Sequence, residues 1–246
     1  MTSLSSPRPP TMVYTGVAGN IFTWTPAHSR KQQLTWSWEE QRPVISDQAS
    51  SARLTHIWPT WSPDGSRVVC FGLRGIGKDT VETSVFSVAA DGVESWELTG
   101  LSGKMPIYGN WSPRGDAFAA LVQRGEQELS LEIIRFDGLG KTTLLINGAP
   151  LFWSWSPRGD RLAVHVGGTR RASADARVVI LDAVSGQTVQ LVTDRPGEFR
   201  VPAWAPHDDL LAYVEQDAHG HDTLILLDVA TGEKGPVAGG MGGTAA

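Results

Sequence analysis

The sequence predicts an all-β fold built from a repeated unit of four short strands. Three observations lead to this prediction. A motif that begins with Trp recurs along the 246-residue chain, an apolar strand follows each copy at a fixed offset, and turn residues close a second pair of strands in each unit. Because no segment has a 3.6-residue apolar period long enough for a substantial helix, we expect strands throughout.

The recurring motif marks the first two strands of each unit. Its copies read WSPDG, WSPRG, WSPRG and the divergent WAPHD, and they begin at Trp61, Trp111, Trp155 and Trp204. Proline suits the first corner of a tight turn because its φ is fixed, and the following Gly closes that turn. We therefore expect strand A to end at each Trp and strand B to follow the turn.

The second half of each unit repeats as well. Residues 21–35 align without a gap with residues 85–99, and each segment reads as strand, polar turn and strand ending in Leu-Thr. Similar segments with Asp and Gly between two strands follow in the later units. Since Gly accepts positive φ and Asp bonds its own backbone, these residues indicate hairpin turns. The hairpins supply strands C and D.

Four-stranded units at this spacing predict a β-propeller, in which each unit is one blade. The motif Trp residues are separated by 50, 44 and 49 positions. A truncated first copy begins at Ser6-Pro7, with Ser5 in the Trp position, and has strands B, C and D but no strand A. We expect four full blades plus one partial blade, forming an open or incomplete ring with an unpaired strand edge that a second copy or further sequence completes.

The domain organisation follows from this repeat. A Ser/Pro-rich segment, residues 1–11, precedes the propeller domain of residues 12–238, and a Gly-rich tail follows at residues 239–246. The blades are expected at about 6–56, 57–106, 107–150, 151–199 and 200–238.

The repeat also points to a family. A Trp-Ser-Pro-Asp-Gly motif followed by an apolar strand and a later Leu-Thr resembles the repeat of the TolB-like, or WD-repeat-like, β-propeller family. The likeness extends from about residue 6 to residue 237. It implies a non-catalytic binding scaffold, because the motif residues of this family build blades and perform no chemistry.

The repeated residues have a structural and a functional interpretation. A ring of Trp side chains could line a ligand site, but residues needed once per unit usually serve the repeat, so we interpret the four as packing residues. Asp116, Asp160 and Asp209 each follow a turn and are interpreted as turn caps rather than as a shared carboxylate cluster. Cys70, the single cysteine, lies in an apolar strand and is expected in the core.

Composition and charge exclude several classes of function. The 26 acidic and 21 basic residues give a formal net charge of -5, which argues against a nucleic-acid partner. The apolar runs are too short to span a membrane. The N-terminal residues show no secretory signal, so the sequence as given predicts a cytoplasmic protein, or a periplasmic or exported one if the true start is missing.

Two short segments resemble ligand-binding motifs without meeting their requirements. Residues 138–143 read GLGKTT, as at the end of a phosphate-binding loop, but Arg135 stands where that motif needs Gly, and a hairpin is expected there. The sequence His219-Gly220-His221-Asp222 lacks a distant fourth metal ligand. No Gly-x-Ser-x-Gly motif occurs. We therefore expect no catalytic, cofactor-binding or metal-binding residue.

The connections at the two ends of the blades differ in their variety. The A–B and C–D turns are short and alike, whereas the B–C and D–A loops vary in length and charge, and variable loops on an even scaffold often carry binding specificity. The alternative is that these loops are solvated connectors. The candidate partner-binding residues in these loops are Arg74, Lys78, Asp79, Arg124, Glu126, Arg170, Arg171, Asp194, Arg195, Glu198, His219 and His221.

The sequence thus favours a non-catalytic β-propeller scaffold that binds a protein or peptide through its loop face. The alternative is the propeller portion of a prolyl-oligopeptidase-like peptidase, or of another propeller hydrolase, whose catalytic part lies outside this chain. A hydrolase or lyase with a metal in the channel is a weaker hypothesis, because strand A positions show no convergent set of ligands.

Overall fold

The structure is a computed structural model that describes residues 11–36, 54–76, 80–101, 103–125, 128–136, 142–168, 175–197, 201–207 and 209–238. These residues form 19 β-strands and two 3-10 helices of three residues each, Val17–Gly19 and Pro26–His28. No helix among them is long and apolar enough to cross a membrane. The prediction of an all-β fold is confirmed.

The chain divides into two compact units, Met1–Gly109 and Asn110–Ala246. The first unit contains two antiparallel sheets whose strands are in chain order. A three-stranded sheet, blade I, consists of β1 (Met12–Thr15), β2 (Ile21–Thr25) and β3 (Arg30–Gln33). A four-stranded sheet, blade II, consists of β4 (Leu54–Trp61), β5 (Arg67–Ile76), β6 (Thr80–Ala89) and β7 (Ser95–Gly100).

The division between the units falls within β8 (Lys104–Trp111), the first strand of blade III, which continues with β9 (Ala117–Arg124), β10 (Glu128–Arg135) and β11 (Thr142–Asn147). Blade IV consists of β12 (Leu151–Trp155), β13 (Arg161–Val166), β14 (Arg177–Asp182) and β15 (Thr188–Thr193). Blade V consists of β16 (Ala203–Trp204), β17 (Leu210–Gln216), β18 (Asp222–Asp228) and β19 (Lys234–Ala238).

The strands confirm four full blades and one partial blade. Blades II to V each have four strands, corresponding to A, B, C and D, whereas blade I has the three strands that correspond to B, C and D. The GLGKTT segment leads into strand β11 rather than a helix, although its residues 138–141 lie outside the described part of the chain.

Blades I and II pack through opposite faces of their sheets. Ile21 and Leu34 of blade I form a buried cluster with Val68, Cys70 and Val88 of blade II, and the ring of Trp61 packs against it. We call the side of a blade that carries the strand A Trp, or the equivalent side of blade I, its Trp face, and the opposite side its far face. The core between blades I and II is therefore a Trp face packed on a far face.

The same arrangement holds blade V against blade IV. Ala163, Val178 and Ile180 of blade IV meet Leu211 and Tyr213 of blade V, with Trp204 beside them.

The prediction that Cys70 lies in the core is also confirmed. Its side chain is fully buried, and burial raises the pKa of its thiol to about 12. This thiol is a core side chain.

Candidate binding face

The A–B turns are closed by their own side chains. The Ser112 hydroxyl donates to Asp116 at 2.7 Å in blade III, and the Ser156 hydroxyl donates to Asp160 at 2.9 Å in blade IV. The turn-capping interpretation is confirmed for these two carboxylates. Asp209 has a different contact, because it accepts a hydrogen bond from Arg158 of blade IV at 3.2 Å.

Blade II closes the same turn with its Asp at a different position. In the sequence Ser62-Pro63-Asp64-Gly65-Ser66, the Ser62 hydroxyl donates to the Asp64 carboxylate at 2.6 Å, and the Ser66 backbone N–H donates to it at 3.0 Å. These hydrogen bonds, that of the Ser62 hydroxyl first, lower the pKa of Asp64 to about 2.

The C–D turns, at the same end of each blade, are also capped internally. Asp182 accepts hydrogen bonds from the backbone N–H groups of Val184 at 3.0 Å and Ser185 at 2.7 Å. Asp228 accepts the two equivalent bonds at 2.9 Å each. The bonds from Ser185 and Thr231, respectively, are the first cause of the lowered pKa of these two carboxyls. The acceptor groups of this end are thus largely occupied by the turns themselves.

The opposite, loop end of blade II contains a groove of about 460 Å³. The ends of strands β4 to β7 that adjoin the B–C and D–A connections form it. Its walls combine charged and apolar side chains, of which the principal ones are Leu54, Arg74, Glu82, Phe86 and Glu97, together with the backbone of Gly72.

The charges of this groove remain open to solvent. Arg74 Nη1 lies 3.7 Å from Glu82 Oε2, and the two side chains are 40% and 57% exposed. An exposed pair of this kind contributes little to stability, about 0 to 1 kcal/mol. Glu97 accepts a hydrogen bond from the Ser84 hydroxyl at 2.7 Å, which orients its carboxylate on the groove wall. A ligand can therefore reach one cationic and two anionic groups.

The floor of the groove is apolar and closely packed. A Cβ atom at Gly72 would overlap the Phe86 ring and would lie 3.2 Å from Leu54 Cδ1, so glycine is required for the close approach of these side chains. The Phe86 ring contacts the His56 ring edge-on, with the centroids 5.3 Å apart. The His56 ring thus packs against the Phe86 ring and supports the floor of the groove.

His56 is neutral at physiological pH because it is buried. Its side chain is only 3% exposed, and desolvation lowers its pKa to about 4, although a hydrogen bond with the Gly19 backbone opposes that shift. The ring therefore supports the groove as an uncharged core residue, and its pKa provides a spectroscopic and thermodynamic probe of the packing behind the groove.

The structure corrects the sequence prediction for Arg74. This residue was expected in a B–C loop of residues 74–80, but it lies in β5, which continues to Ile76, and Thr80 already begins β6. Opposite charges face each other in register at Arg74 and Glu82, and such cross-strand pairs favour longer strands. The candidates Lys78 and Asp79 lie outside the described residues.

Arg124 is also a strand residue rather than a loop residue. It is the last residue of β9, and its Nη2 donates to Glu132 Oε1 at 3.1 Å. The Glu132 side chain is 1% exposed, so the guanidinium compensates a buried carboxylate. Arg124 therefore has a structural role, which the sequence analysis did not predict. The neighbouring candidate Glu126 lies outside the described residues.

Two candidate segments lie side by side, one in the connection from blade IV to blade V and one in blade V. Asp194 and Arg195 follow β15, and the Arg195 carbonyl accepts a hydrogen bond from the Gln216 backbone N–H at 2.9 Å. Gln216 is the last residue of β17 and leads directly into the B–C loop of residues 217–221. The D–A connection is therefore fixed against the base of that loop.

The two histidines of this loop are exposed, and a nearby carboxylate organises the backbone around them. Asp217 accepts bonds from the backbone N–H groups of His219 at 2.8 Å and His221 at 2.9 Å, and its Oδ2 lies 3.2 Å from the His221 ring. Within the described residues, no group of three or more His, Cys, Asp or Glu side chains is arranged to hold a metal ion. The candidates Arg170, Arg171 and Glu198 are outside this part of the chain.

The strand A Trp residues differ in their surroundings. Trp111 and Trp155 are 8% and 9% exposed, as packing residues should be, whereas Trp61 and Trp204 are half-buried. The Trp111 ring stacks on Phe136 with centroids 4.5 Å apart. The indoles of Trp111 and Trp155 are therefore packing side chains.

A single amide also joins blade III to blade IV. Asn110 Oδ1 accepts hydrogen bonds from the indole N–H groups of Trp153 at 2.9 Å and Trp155 at 3.1 Å. The sequence analysis did not identify this residue, and its only signal was a polar Asn immediately before one of the four motif copies.

The comparisons with known proteins support the fold rather than a family. No family model matches the sequence, and no curated protein matches it. A solved structure of puromycin hydrolase is similar, with 21% sequence identity and a TM-score of 0.65 over 95% of this chain and 37% of that chain. This chain thus spans little more than a third of the length of puromycin hydrolase.

Other propellers match less closely. The β-propeller domain of the Trilobed protease from Pyrococcus furiosus gives a TM-score of 0.51 and 11% identity over 75% of this chain and 57% of that chain. TolB from Acinetobacter baumannii gives a TM-score of 0.49 and 11% identity over 89% of this chain and 49% of that chain, which is too low to favour one propeller family. The TolB-like assignment stays a prediction. The chain is a β-propeller, and its described residues form four full blades and one partial blade.

Proposed function

We propose that this propeller is a non-catalytic scaffold that binds an extended peptide or protein segment at the loop end of its blades. The groove of blade II is the observation that carries the proposal, because it combines accessible charges with an apolar floor. At the opposite end of the blades, the Asp side chains of the turns already accept bonds from their own turns.

The chemistry of the groove favours a peptide with both charge signs. Arg74 can donate to a carboxylate in a bidentate manner, whereas Glu97 and Glu82 can accept from Lys or Arg of the partner. The Phe86 ring provides apolar contact area, and buried aromatic groups at the centre of an interface often dominate its energy. A charged rim around an apolar centre is the usual anatomy of a protein interface.

Affinity capture with the intact chain, followed by mass spectrometry, tests this proposal. We expect a peptide or protein partner whose binding weakens about tenfold or more when Arg74→Glu and Glu97→Lys are introduced together. Glu94→Lys is the matched control, because Glu94 is exposed at the C–D turn end of the same blade. Turnover of a small molecule by the chain alone, with no partner recovered, would contradict a binding scaffold.

A second candidate is the propeller portion of a hydrolase whose catalytic part lies outside this chain. The specific support is the likeness to puromycin hydrolase, of which only 37% is covered. The two candidates differ in the partner they require. A reading frame that is fused or adjacent and encodes a hydrolase with a Gly-x-Ser-x-Gly motif, together with copurification of its product, would favour the second candidate. An unrelated partner captured at the loop end would favour the first.

A further inference from the structure

The Trp face of blade I exposes a cluster of large apolar side chains. Met12 lies opposite Trp24 in the register of β1 and β2, and Tyr14 lies opposite Phe22. The rings of Tyr14 and Phe22 stack with centroids 5.8 Å apart, and the Lys31 ammonium lies 4.4 Å from the Phe22 centroid. Met12 is 51% exposed and Trp24 is 38% exposed.

The equivalent positions are buried in blades that have a preceding blade to pack on. In blade II, the residues equivalent to Met12, Tyr14 and Trp24 are Val68, Cys70 and Val88, and all three are 0% exposed. In blade V the equivalent residues, of which Leu211 and Tyr213 are two examples, are at most 2% exposed. The exposed cluster therefore occupies positions that the repeat uses for packing between blades.

The far face of blade V also carries an exposed apolar side chain. Leu226 lies opposite Ala212 in this sheet and is 38% exposed. The equivalent pair in blade IV, Ala163 and Ile180, is fully buried by blade V. The side chain of Leu226 thus occupies a position that a following blade covers.

Exposed apolar faces of this kind are unusual at the ends of a repeat series. Repeats that end such a series in water normally carry a polar outer face. The described part of blade I also lacks a strand A, so the edge of β1 that strand A pairs with in the other blades has no strand partner there. An open β-strand edge beside an apolar face favours association with another sheet.

We propose that the Trp face of blade I binds the far face of blade V in a second copy of this chain. Within each unit, the packed blades join a Trp face to a far face, so the repeat itself specifies the surface that fits each exposed face. The groove beside Leu226 in blade V is lined by Asp228, Glu233 and Lys234, so carboxylates outnumber ammonium groups there. Lys31 on the Trp face of blade I can pair with these carboxylates. The contact is head-to-tail and joins two different surfaces.

Sedimentation velocity over a wide concentration range tests this interface. We expect the intact chain to associate, and we expect Trp24→Glu and Leu226→Glu each to weaken association about tenfold or more, because each places an unpaired charge in an apolar contact. Val184→Glu is the matched control, since Val184 is 66% exposed in the C–D turn of blade IV, and it should leave association unchanged. Circular dichroism establishes that each variant is folded.

Mixing the two interface variants separates this contact from a symmetric one. An equimolar mixture of Trp24→Glu and Leu226→Glu should associate again, because one chain keeps an intact far face and the other keeps an intact Trp face. A wild-type chain that is monomeric at all concentrations would overturn the proposal. So would a Leu226→Glu variant that associates as tightly as the wild type, because two blade I faces would then meet each other.

A crosslinking measurement covers the case in which the charged variants do not fold. Chains with Met12→Cys are mixed with chains with Leu226→Cys under oxidising conditions, and the native Cys70 is too buried to react. The proposal predicts a disulfide-linked dimer that contains one chain of each kind. Dimers of Met12→Cys chains alone would contradict it.

Discussion

Truncating Trp111 to Ala removes the largest side chain of the repeat from its packed position in blade III. The indole is 8% exposed, stacks on Phe136 at 4.5 Å and meets the Phe118 ring edge-on at 5.8 Å. Replacing a buried Trp by Ala typically costs about 3 to 5 kcal/mol, since contacts are lost and a cavity is left. Each aromatic pair contributes about 0.5 to 1.5 kcal/mol beyond the area that it buries.

Urea unfolding followed by circular dichroism measures this cost. We expect the free energy of unfolding to fall by about 3 to 5 kcal/mol in Trp111→Ala, against a typical total of about 5 to 15 kcal/mol. Trp36→Ala is the control, because Trp36 is 39% exposed, and it should cost much less. If the two variants lost the same small amount, the packing role of Trp111 would be wrong, and a ligand-lining role for the motif Trp residues would become the better interpretation.

Three further predictions concern the polar side chains of His56, Asn110 and Arg124. The His56 ring has a pKa of about 4 in the folded protein and about 6.5 in the unfolded chain. Its contribution of about 3 kcal/mol to the free energy of unfolding is therefore complete above pH 6.5 and is lost as the pH falls toward 4. His56→Gln should flatten that part of the pH–stability profile measured by urea unfolding. Asn110→Ala should cost about 1 to 3 kcal/mol, because two indole N–H groups lose their acceptor, whereas Asn110→Asp should cost less in the same assay. Arg124→Met should cost about 3 to 5 kcal/mol because it removes the cation that compensates the buried Glu132 carboxylate, and Arg124→Met with Glu132→Leu should recover most of that loss in thermal melts; a double variant that is less stable than the single one would contradict this reasoning.

The turn chemistry made most of this fold predictable from the sequence. The motif copies locate the end of strand A and the start of strand B, and the Ser and Asp side chains that close the turns are in the motif itself. The partial blade was predictable for the same reason, because Ser5 and the residues after it keep the register of the repeat, and the described part of blade I consists of strands B, C and D. Hydrogen bonds between residues that are close in the sequence can be predicted from a short motif.

The contacts that define the candidate site were less predictable. Charged residues such as Arg74 and Arg124 were expected in loops, but opposite charges on the neighbouring strand allow each to lie within a long strand. Gly72 and Phe86 were not identified either, because their close approach depends on strand register rather than on composition. Asn110 escaped detection since its two indole donors lie more than 40 residues away in the next blade.

Hydrogen exchange of the intact chain, with and without its captured partner, tests the central claim most directly. If the loop end is the binding face, amide protection should increase at the ends of β5 and β6 that line the groove, around Arg74 and Glu82, and should not change in the A–B turns around Asp116 and Asp160. Protection confined to those turns, with no change at the groove, would contradict the account.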